Sequence, residues 1–412
     1  MNAAEQNVVG TTDEQSWDLS FSAVEVGGSA ALGADIRLDL APRITVLVGK
    51  NGAGKSLLFE KLMAGIHAAS GAPREPDPAR FACEVDIGAT DLEPQAARLR
   101  YECRFQLREP TSTDTPPAVL LLSGDADIKV EETCRIINPR EEFLWRVDDG
   151  LLTYNTDEQA EIAAGRTLVN WTISRRRDFV LPNLANPLRE LFWGVTRVLP
   201  GVPRGDGERE ELALPYPEPR RGRSSVEASR RIRWLVYRLV DWHEEDRERF
   251  DELVELGRRT GLLEEVKVKL YRDPETDPGA HRRDLVSVLV DGTDLGLLSD
   301  GTLRVLEILM WLLYPGIKLL LIEEPETAVH PGLLSRLLAE FDAYSSDRQL
   351  VLSTQSPQVV SWAAPLAIRL VERRSGHTEV RSLRDDEVAR LSAYLHGEGT
   401  LGDFVYSGAL DG

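Results

Sequence analysis

The 412-residue sequence has little cysteine and little histidine. Its three cysteines are Cys83, Cys103 and Cys134; none forms a CxxC pair, and an odd number cannot all pair within one chain. We therefore expect reduced, structural thiols rather than a disulfide framework. The six histidines are scattered. His243 precedes a Glu-Glu-Asp run but lacks the second histidine of an HExxH metal motif, so a solvated helix face is the better interpretation.

Long apolar segments are also missing. The most apolar stretch, 305–322, is interrupted by Glu307, Pro315-Gly316 and Lys318, which indicates a buried helix, a turn and a buried strand rather than a membrane span. The first 18 residues carry acids and lack the apolar centre of a signal peptide. With 42% hydrophobic and 28% charged residues, the composition predicts a cytoplasmic globular protein of two or three structural units.

Positive charge is scarce, because the net charge is −19. This argues against a protein coated in nucleic acid or resting on an anionic membrane. Local clusters of arginine remain, and they could be solvated faces or could contact the phosphates of DNA or a partner protein. The region 220–238 and a second short run supply them: Arg220, Arg221, Arg223, Arg230, Arg231, Arg233, Arg238 and Arg175–Arg177.

Periodicity predicts the elements around the later motifs. Apolar β-branched residues at 44–48 indicate a strand, and 56–66 indicates a helix. A helix or helix pair is expected from Ser224 to about Arg259, ended by Thr260-Gly261. Segments 263–270 and 284–290 are typical of paired strands. The stretch 183–219 is rich in proline, glycine and charge and is expected to be irregular.

The strongest motif is a glycine-rich loop between that strand and helix. It matches G-x(4)-G-K-[ST], in which glycines let successive backbone N–H groups face a phosphate and the helix N-terminus adds positive potential. We expect Lys55 to bridge the β- and γ-phosphates of ATP and Ser56 to hold Mg²⁺. The candidate nucleotide-binding residues here are Gly49, Lys50, Asn51, Gly52, Ala53, Gly54, Lys55, Ser56 and Leu57.

A second motif is an apolar strand that ends in two acids, Lys318-Leu-Leu-Leu-Ile-Glu323-Glu324. A buried strand can deliver carboxylates to a phosphate site at its carboxyl end. Glu323 is the candidate for supporting Mg²⁺ through water. Glu324 is the candidate for orienting or deprotonating the attacking water.

Two weaker motifs complete the set. Leu298-Ser-Asp-Gly-Thr302 precedes an apolar helix, and by itself it could be an ordinary helix cap. Gln349-Leu-Val-Leu-Ser-Thr-Gln355 predicts another buried strand that ends in a polar loop. The order of all four motifs resembles that of the ABC ATPase superfamily. By that resemblance Ser299, Asp300 and Gly301 of one subunit contact the nucleotide held by another, which implies a dimer with two ATP sites.

The resemblance has departures. The superfamily usually has histidine where Gln355 stands; glutamine can donate a hydrogen bond to a phosphate oxygen but cannot carry a proton, so the hydrolysis rate stays open. Many relatives have aspartate where Glu323 stands. The metal-linked glutamine of the superfamily is not placed, and Gln95 and Gln106 are both candidates.

The length between the loop and the LSxG motif resembles the RecF-like, SMC-like and OLD-like branch, without the Toprim nuclease of OLD proteins. The resemblance implies a P-loop NTPase of α/β fold with an ABC-type head of mixed and parallel sheets. It divides the chain into a head part at 1–110, a mainly helical or irregular insertion at 111–283, and a second head part at 284–412. The expected function is a dimeric ATPase switch in DNA maintenance or anti-phage defence, acting on a separate effector such as a nuclease. A scaffold with negligible turnover and a transporter subunit are the alternatives.

Overall fold

The computed structural model describes residues 18–71, 77–88, 96–107, 128–154, 158–162, 166–171, 184–198, 224–271, 285–396 and 400–406. In these residues the chain forms three sheets flanked by helices. The strands are β1 (Leu19–Gly27), β2 (Ile36–Asp39), β3 (Ile44–Val48), β4 (Arg80–Ile87), β5 (Ala97–Leu107), β6 (Ile128–Asn138), β7 (Glu142–Asp148), β8 (Leu151–Tyr154), β9 (Glu158–Glu161), β10 (Val195–Val198), β11 (Val266–Tyr271), β12 (Leu285–Val290), β13 (Thr293–Asp294), β14 (Leu319–Glu323), β15 (Gln349–Thr354), β16 (Ile368–Arg374) and β17 (His377–Ser382).

Ten helices accompany these strands in the described ranges. Short 3₁₀ turns at Leu295–Leu297 and Pro365–Ala367 complete the regular structure. The helices are α1 (Lys55–Ser70), α2 (Leu168–Trp171), α3 (Ala185–Trp193), α4 (Ser224–Glu245), α5 (Arg247–Thr260), α6 (Asp300–Leu313), α7 (Pro331–Tyr344), α8 (Pro357–Trp362), α9 (Asp385–His396) and α10 (Leu401–Tyr406).

A six-stranded sheet in the order β10-β14-β15-β3-β16-β17 lies at the centre, and its first five strands are parallel. Its inner strands β14, β15 and β3 are buried on both faces, as expected of parallel strands with layers on either side. In β14, Leu319 and Leu321 belong to one hydrophobic core while Leu320 and Ile322 belong to a second. The period-two alternation of a strand therefore joins the two cores through one sheet.

The first core lies between the central sheet and an eight-stranded antiparallel sheet in the order β2-β1-β4-β5-β6-β7-β8-β9. Helices α1 and α3 contribute Leu58, Phe59 and Phe192 to this core. The second core packs α4 to α8 against the opposite face of the central sheet. The α/β fold class expected from the sequence, with parallel and mixed sheets flanked by helices, is confirmed.

The middle region is richer in strands than its composition indicates. Strands β6 to β9 fall within 111–283 and extend the antiparallel sheet, so the helical part of this region is confined to α2–α5 in the described residues. Alternation is the reason, because Val130, Cys134 and Trp145 point into the core at every second position.

The expected irregular stretch at 183–219 is wrong at its beginning. Helix α3 and strand β10 occupy 185–198, while 199–223 lies outside the described residues. Leu188, Leu191 and Phe192 have helical spacing and are buried. Proline at position 187 lies in the first turn of α3, where its missing N–H costs no intrahelical hydrogen bond.

Two other expectations are confirmed. The predicted helix pair is α4 followed by α5, separated at Asp246, whose side chain accepts a hydrogen bond from the Arg249 N–H at 3.2 Å. Gly261 ends α5 with a φ of 71°, a left-handed conformation that glycine adopts without strain. The predicted strand pair is the antiparallel hairpin β11–β12. No helix in the described part of the chain is both long and apolar enough to cross a membrane.

Candidate nucleotide site

The glycine-rich loop connects β3 to α1 at the carboxyl edge of the parallel sheet. Gly52 and Gly54 have φ values of 78° and 103°, which few other residues adopt. A Cβ at Gly49 would lie 2.2 Å from the carbonyl oxygen of Val371, and one at Gly54 would lie 2.3 Å from the hydroxyl of Thr378. The loop is therefore built for backbone curvature and close approach, as a phosphate cradle requires.

The other loop residues differ in their exposure. Lys50, Asn51 and Ser56 are not buried, whereas Ala53 packs into the first core. Leu57 packs its side chain partly against that core, so only its backbone can contribute to nucleotide binding. The exposed backbone of the loop and the Ser56 hydroxyl at the start of α1 are the groups available to a phosphate and its cation.

Lys55 turns back into the loop. Its Nζ donates hydrogen bonds to the carbonyl oxygens of Gly49 at 2.6 Å and Lys50 at 3.3 Å. Burial lowers the pKa of Lys55, and the nearby carboxylates of Glu324, Glu326 and Glu323 oppose that shift. The ammonium group is thus held at the centre of the cradle by neutral acceptors that a phosphate can replace.

Glu323 and Glu324 lie at the end of β14, which is separated from β3 only by β15. Glu323 is almost fully buried. Its Oε1 accepts a hydrogen bond from Nε of Arg197 at 2.6 Å, and Arg197 Nη2 also donates to the carbonyl oxygen of Ser56 at 3.1 Å. Arg197 therefore connects the acidic strand to the start of α1, and sequence reasoning did not identify it.

Glu324 has a φ of 41°, although it is not a glycine. Its N–H donates to the Ser353 carbonyl oxygen at 2.7 Å, and its Oε2 accepts from the Thr327 hydroxyl at 3.2 Å. Left-handed backbone at a non-glycine residue costs of order 1–3 kcal/mol and concentrates at functional sites. This conformation turns the chain sharply after β14.

Glu326 is a second residue that sequence reasoning missed. Its Oε1 accepts from the Thr354 hydroxyl at 2.7 Å and from the Gln355 N–H at 3.1 Å. Its Oε2 is buried and has no hydrogen-bond partner within the described part of the chain. Glu326 thus fixes the turn that follows β15 and positions Gln355 beside the acidic strand. Glu326 lies two residues after Glu324, but its hydrogen-bond partners are 28 and 29 positions away in the sequence.

The predicted signature residues, which are Ser299, Asp300 and Gly301 of the LSxG motif, lie at the N-terminus of α6. Ser299 is the N-cap, since its Oγ accepts from the Thr302 N–H at 3.2 Å; Ser299 and Asp300 are exposed. A Cβ at Gly301 would lie 2.1 Å from the carbonyl oxygen of Ala328. The signature turn therefore packs closely against the loop after β14 of its own chain, with the exposed side chains of Ser299 and Asp300 facing outward.

Helix α6 is tied to the acidic strand by a buried arginine. Nη2 of Arg304 donates to the carbonyl oxygens of Glu323 and, at 2.8 Å, Glu324. Burial, followed by the charge of Arg231, lowers the pKa of Arg304 to about 10. Arg231 of α4 forms an ion pair with Glu307 of α6, and burial raises the pKa of Glu307 despite that pair.

This pairing corrects one expectation about the arginine region 220–238. Arg231 is buried rather than part of a surface patch. Arg238 pairs with Asp241 at 3.4 Å and lies over the ring of Tyr314. Arg233 is exposed. The residues 220–223 and 175–177, together with the side chain of Arg230, lie outside the described residues.

Other residues with polar or reactive side chains have structural roles or lie elsewhere. Nδ1 of His330 accepts from the Gly332 N–H at 3.1 Å and so caps α7. Gln106 is exposed on β5 of the antiparallel sheet, and Gln95 lies outside the described residues. The three cysteines lie buried on β4, β5 and β6, and burial raises the pKa of each thiol. They are therefore inert structural thiols.

The side chains at this edge suit a magnesium–nucleotide complex. Magnesium is commonly held by one or two protein oxygens together with phosphates and water, and the Ser56 hydroxyl and the Glu323 carboxylate are oxygens of that kind. No cluster of three or more His, Cys, Asp or Glu side chains in the described ranges could hold a metal alone.

One protein-family model matches part of the chain. Residues 227–361 match a family model described as "AAA domain, putative AbiEii toxin, Type IV TA system", which spans α4 to α8 and includes the signature, acidic and Gln355 segments. The match covers about a third of the chain and does not include the glycine-rich loop. No curated protein matches the sequence.

Solved structures show a distant likeness. The SMC head domain from Thermotoga maritima is 14% identical, with a TM-score of 0.40 over 89% of this chain and 99% of that one. An SMC head bound to the C-terminal winged-helix domain of ScpA is 14% identical, with a TM-score of 0.42 over 90% and 99%. The SMC head with an extended coiled coil, bound to the C-terminal domain of ScpA derived from Pyrococcus furiosus, is 13% identical, with a TM-score of 0.37 over 92% and 100%. At these values the description of the site rests on the residues of this chain.

Proposed function

We propose that the protein binds and hydrolyses ATP at the edge formed by the loop 49–56, the end of β14 and the turn after β15. The main supporting observation is that Lys55, Glu324 and Gln355 follow the carboxyl ends of three adjacent parallel strands, β3, β14 and β15 respectively. A phosphate-binding lysine beside a carboxylate that can hold water is the arrangement that phosphoryl transfer to water requires.

Each residue has a distinct task in this mechanism. Lys55 exchanges its bonds to the loop carbonyls for bonds to the phosphates and stabilises the charge that develops there. Glu324 orients the attacking water and accepts its proton. Gln355, positioned by Glu326, donates a hydrogen bond to a phosphate oxygen. Magnesium, held by Ser56 and Glu323, would supply further neutralisation of phosphate charge.

We further infer that two copies enclose the nucleotide, with Ser299, Asp300 and Gly301 of one copy facing the loop of the other. Ser299 and Asp300 are exposed, and the adjacent Leu297 is 79% exposed. The exposed polar groups at the N-terminus of α6 are suited to contact with a phosphate. The N-terminus of α6 would then add positive potential to the second ATP site.

The cellular role that we propose is a switch in DNA maintenance or anti-phage defence that controls a separate effector such as a nuclease. The description of the matching family model names a putative toxin of a type IV toxin–antitoxin system. A protein of that kind is in keeping with a defence role. ATP-dependent closure of two copies would change the surface offered to the effector. DNA contact, if present, must use residues other than Arg231, which is buried.

The solution mass of the Glu324→Gln protein tests the enzyme and the dimer together. With Mg-ATP we expect the mass to double and ATP to persist, because the amide cannot accept a proton from water while the rest of the site is intact. Lys55→Ala is the matched control, and it should neither bind ATP nor change mass. Undiminished turnover by Glu324→Gln would contradict the role of Glu324, and normal ATP affinity of Lys55→Ala would contradict the site itself.

A nucleotide-dependent scaffold with negligible turnover is the second candidate. Two observations favour it: glutamine stands at position 355, and Glu323 is engaged by Arg197. Turnover of the unmodified protein separates the two functions. A scaffold would bind ATP and close without releasing phosphate, whereas the proposed ATPase would release it, and Glu324→Gln would abolish that release.

A further inference from the structure

A positively charged side chain already occupies the carboxylate that the candidate site offers to a metal. The side chain of Glu323 is 2% exposed and that of Arg197 is 17% exposed, so their ion pair is shielded from water. Arg197 Nη2 reaches the carbonyl oxygen of Ser56 at 3.1 Å, one residue from Lys55. The guanidinium therefore lies between the acidic strand and the beginning of α1.

Strand pairing explains this placement. Strand β10 is the edge strand and runs parallel to β14, with Arg197 beside Leu321 and Val198 beside Ile322. Parallel strands end at the same edge of a sheet, so a residue near the end of β10 reaches the acids at the end of β14. A buried carboxylate without a counter-charge is strongly unfavourable, and Arg197 supplies that charge within the chain.

Arg197 and a divalent cation would compete for one carboxylate. Both are attracted to the Glu323 carboxylate, but they repel each other at short range. In the described residues no group of three or more His, Cys, Asp or Glu side chains is placed to hold a metal. Before a metal–nucleotide complex is present, the guanidinium is the positive charge that pairs directly with Glu323.

We propose that Arg197 is a positioning residue that replaces the charge of the divalent cation while the site is metal-free, and that it yields Glu323 when the metal arrives with nucleotide. This rests on the ATP site proposed above. While it pairs with Glu323, the guanidinium cancels the carboxylate charge that would otherwise repel a phosphate at this edge of the sheet. The consequence is that ATP binding depends less on Mg²⁺ than Lys55 alone would allow.

The test compares the affinity for a fluorescent ATP analogue in EDTA and in excess Mg²⁺. For Arg197→Met we expect the dissociation constant in EDTA to rise about tenfold or more, and the constant in Mg²⁺ to change less than about threefold, where tenfold corresponds to about 1.4 kcal/mol. Arg197→Lys is the control, because it retains the charge and should keep most of the metal-free affinity. Equal weakening under both conditions would show a merely structural residue and overturn the proposal.

A second pair of variants applies if Arg197→Met does not fold. In Glu323→Gln the arginine loses its carboxylate partner and is free to face phosphate, whereas Arg197→Met/Glu323→Gln has no charge on either partner and retains a similar volume. We expect the single variant to bind the analogue in EDTA about tenfold more tightly than the double variant. Equal affinity would overturn the proposal. If the unmodified protein bound no nucleotide under either condition, the ATP site itself would be wrong.

Discussion

Two glutamates that both face arginine differ in their response to burial, Glu25 on β1 and Glu307 on α6. The hydrogen bond from Arg100 is the main cause that lowers the pKa of Glu25 to about 2. Burial raises the pKa of Glu307 in spite of its pair with Arg231. Glu25 lies on a partly exposed face of the sheet and has three cationic partners: Arg37, Arg80 and Arg100.

This difference indicates that the number of cationic partners and their access to water decide whether a buried carboxylate is stable in its ionised form. In the network around Glu25 each charge has an opposite charge beside it, and the network is partly exposed to water. We therefore assign it a structural role. The Glu307 network is shielded from water and leads through Arg304 to the carbonyl oxygens of Glu323 and Glu324. Charges that are kept in unfavourable surroundings concentrate at functional sites, and this network ends at the candidate catalytic acid.

We expect the greatest loss of stability when the buried network around Glu307 is broken. Glu307→Ala would leave Arg231 buried without its ion-pair partner, and we expect a loss of about 3–5 kcal/mol in the free energy of unfolding. Urea unfolding measures this. The matched variant Glu25→Ala should lose less, about 1.5–3 kcal/mol, because a hydrogen bond to a charged group contributes about that much and each arginine retains another acid. Equal losses would contradict the comparison.

The next effect should appear in turnover. Arg304→Met would release the backbone at Glu323 and Glu324, and a small displacement of catalytic groups costs about 100-fold in rate. We expect that fall in phosphate release with ATP affinity changed less than about threefold, a range of under 1 kcal/mol. The control Arg259→Met removes an exposed arginine whose pair with Glu340 links α5 and α7, and it should leave turnover unchanged. A parallel fall in affinity would place Arg304 in folding rather than in catalysis.

The site divides into residues that could be predicted from sequence and residues that could not. Lys55, Ser56 and Glu324 belong to short motifs, since the chemistry requires fixed spacing along one loop or one strand end. Arg197 pairs with an acid 126 positions away, and Glu326 acts on a residue 29 positions away. Only the order of the strands reveals those contacts.

The fold also contains elements that could be predicted from the sequence and elements that could not. The helix pair α4–α5 and the hairpin β11–β12 have clear local periodicity and could be predicted. Strands β6 to β9 were missed because their alternation interleaves with charge, as in Lys129-Val-Glu-Glu-Thr-Cys134. The buried Glu132 reads as a solvent-facing residue in any pattern of charges, yet it faces the core.

The buried Glu132 should make the free energy of unfolding depend on pH. Burial raises its pKa to about 7, although the Leu168 N–H and Trp145 Nε1 donate hydrogen bonds to it. Its contribution to stability is therefore complete below its ordinary pKa of 4.5 and is lost as the pH rises through about 7. Glu132→Gln removes this dependence, but its amide nitrogen replaces one of the two oxygens that accept these hydrogen bonds. We therefore expect the unmodified protein to lose about 1–3 kcal/mol of its free energy of unfolding relative to the variant between pH 5 and pH 8. Unfolding curves from pH 5 to pH 8 measure this. A difference between the two proteins that stayed constant over this range would contradict the raised pKa.

The smallest effect is the opposite pH dependence of Glu25. Its pKa of about 2 lies below the ordinary 4.5, so its contribution is present above 4.5 and lost as the pH falls towards 2. Glu25→Gln retains the shape but not the charge, and it should lose about 1 kcal/mol at pH 7 because its arginines keep Glu84 and Glu102. The deficit relative to the unmodified protein should shrink as the pH is lowered from 5 to 3. A deficit that stayed constant over this range would mean that the shape of Glu25 stabilises the sheet, not its charge, and the contrast with Glu307 would fail.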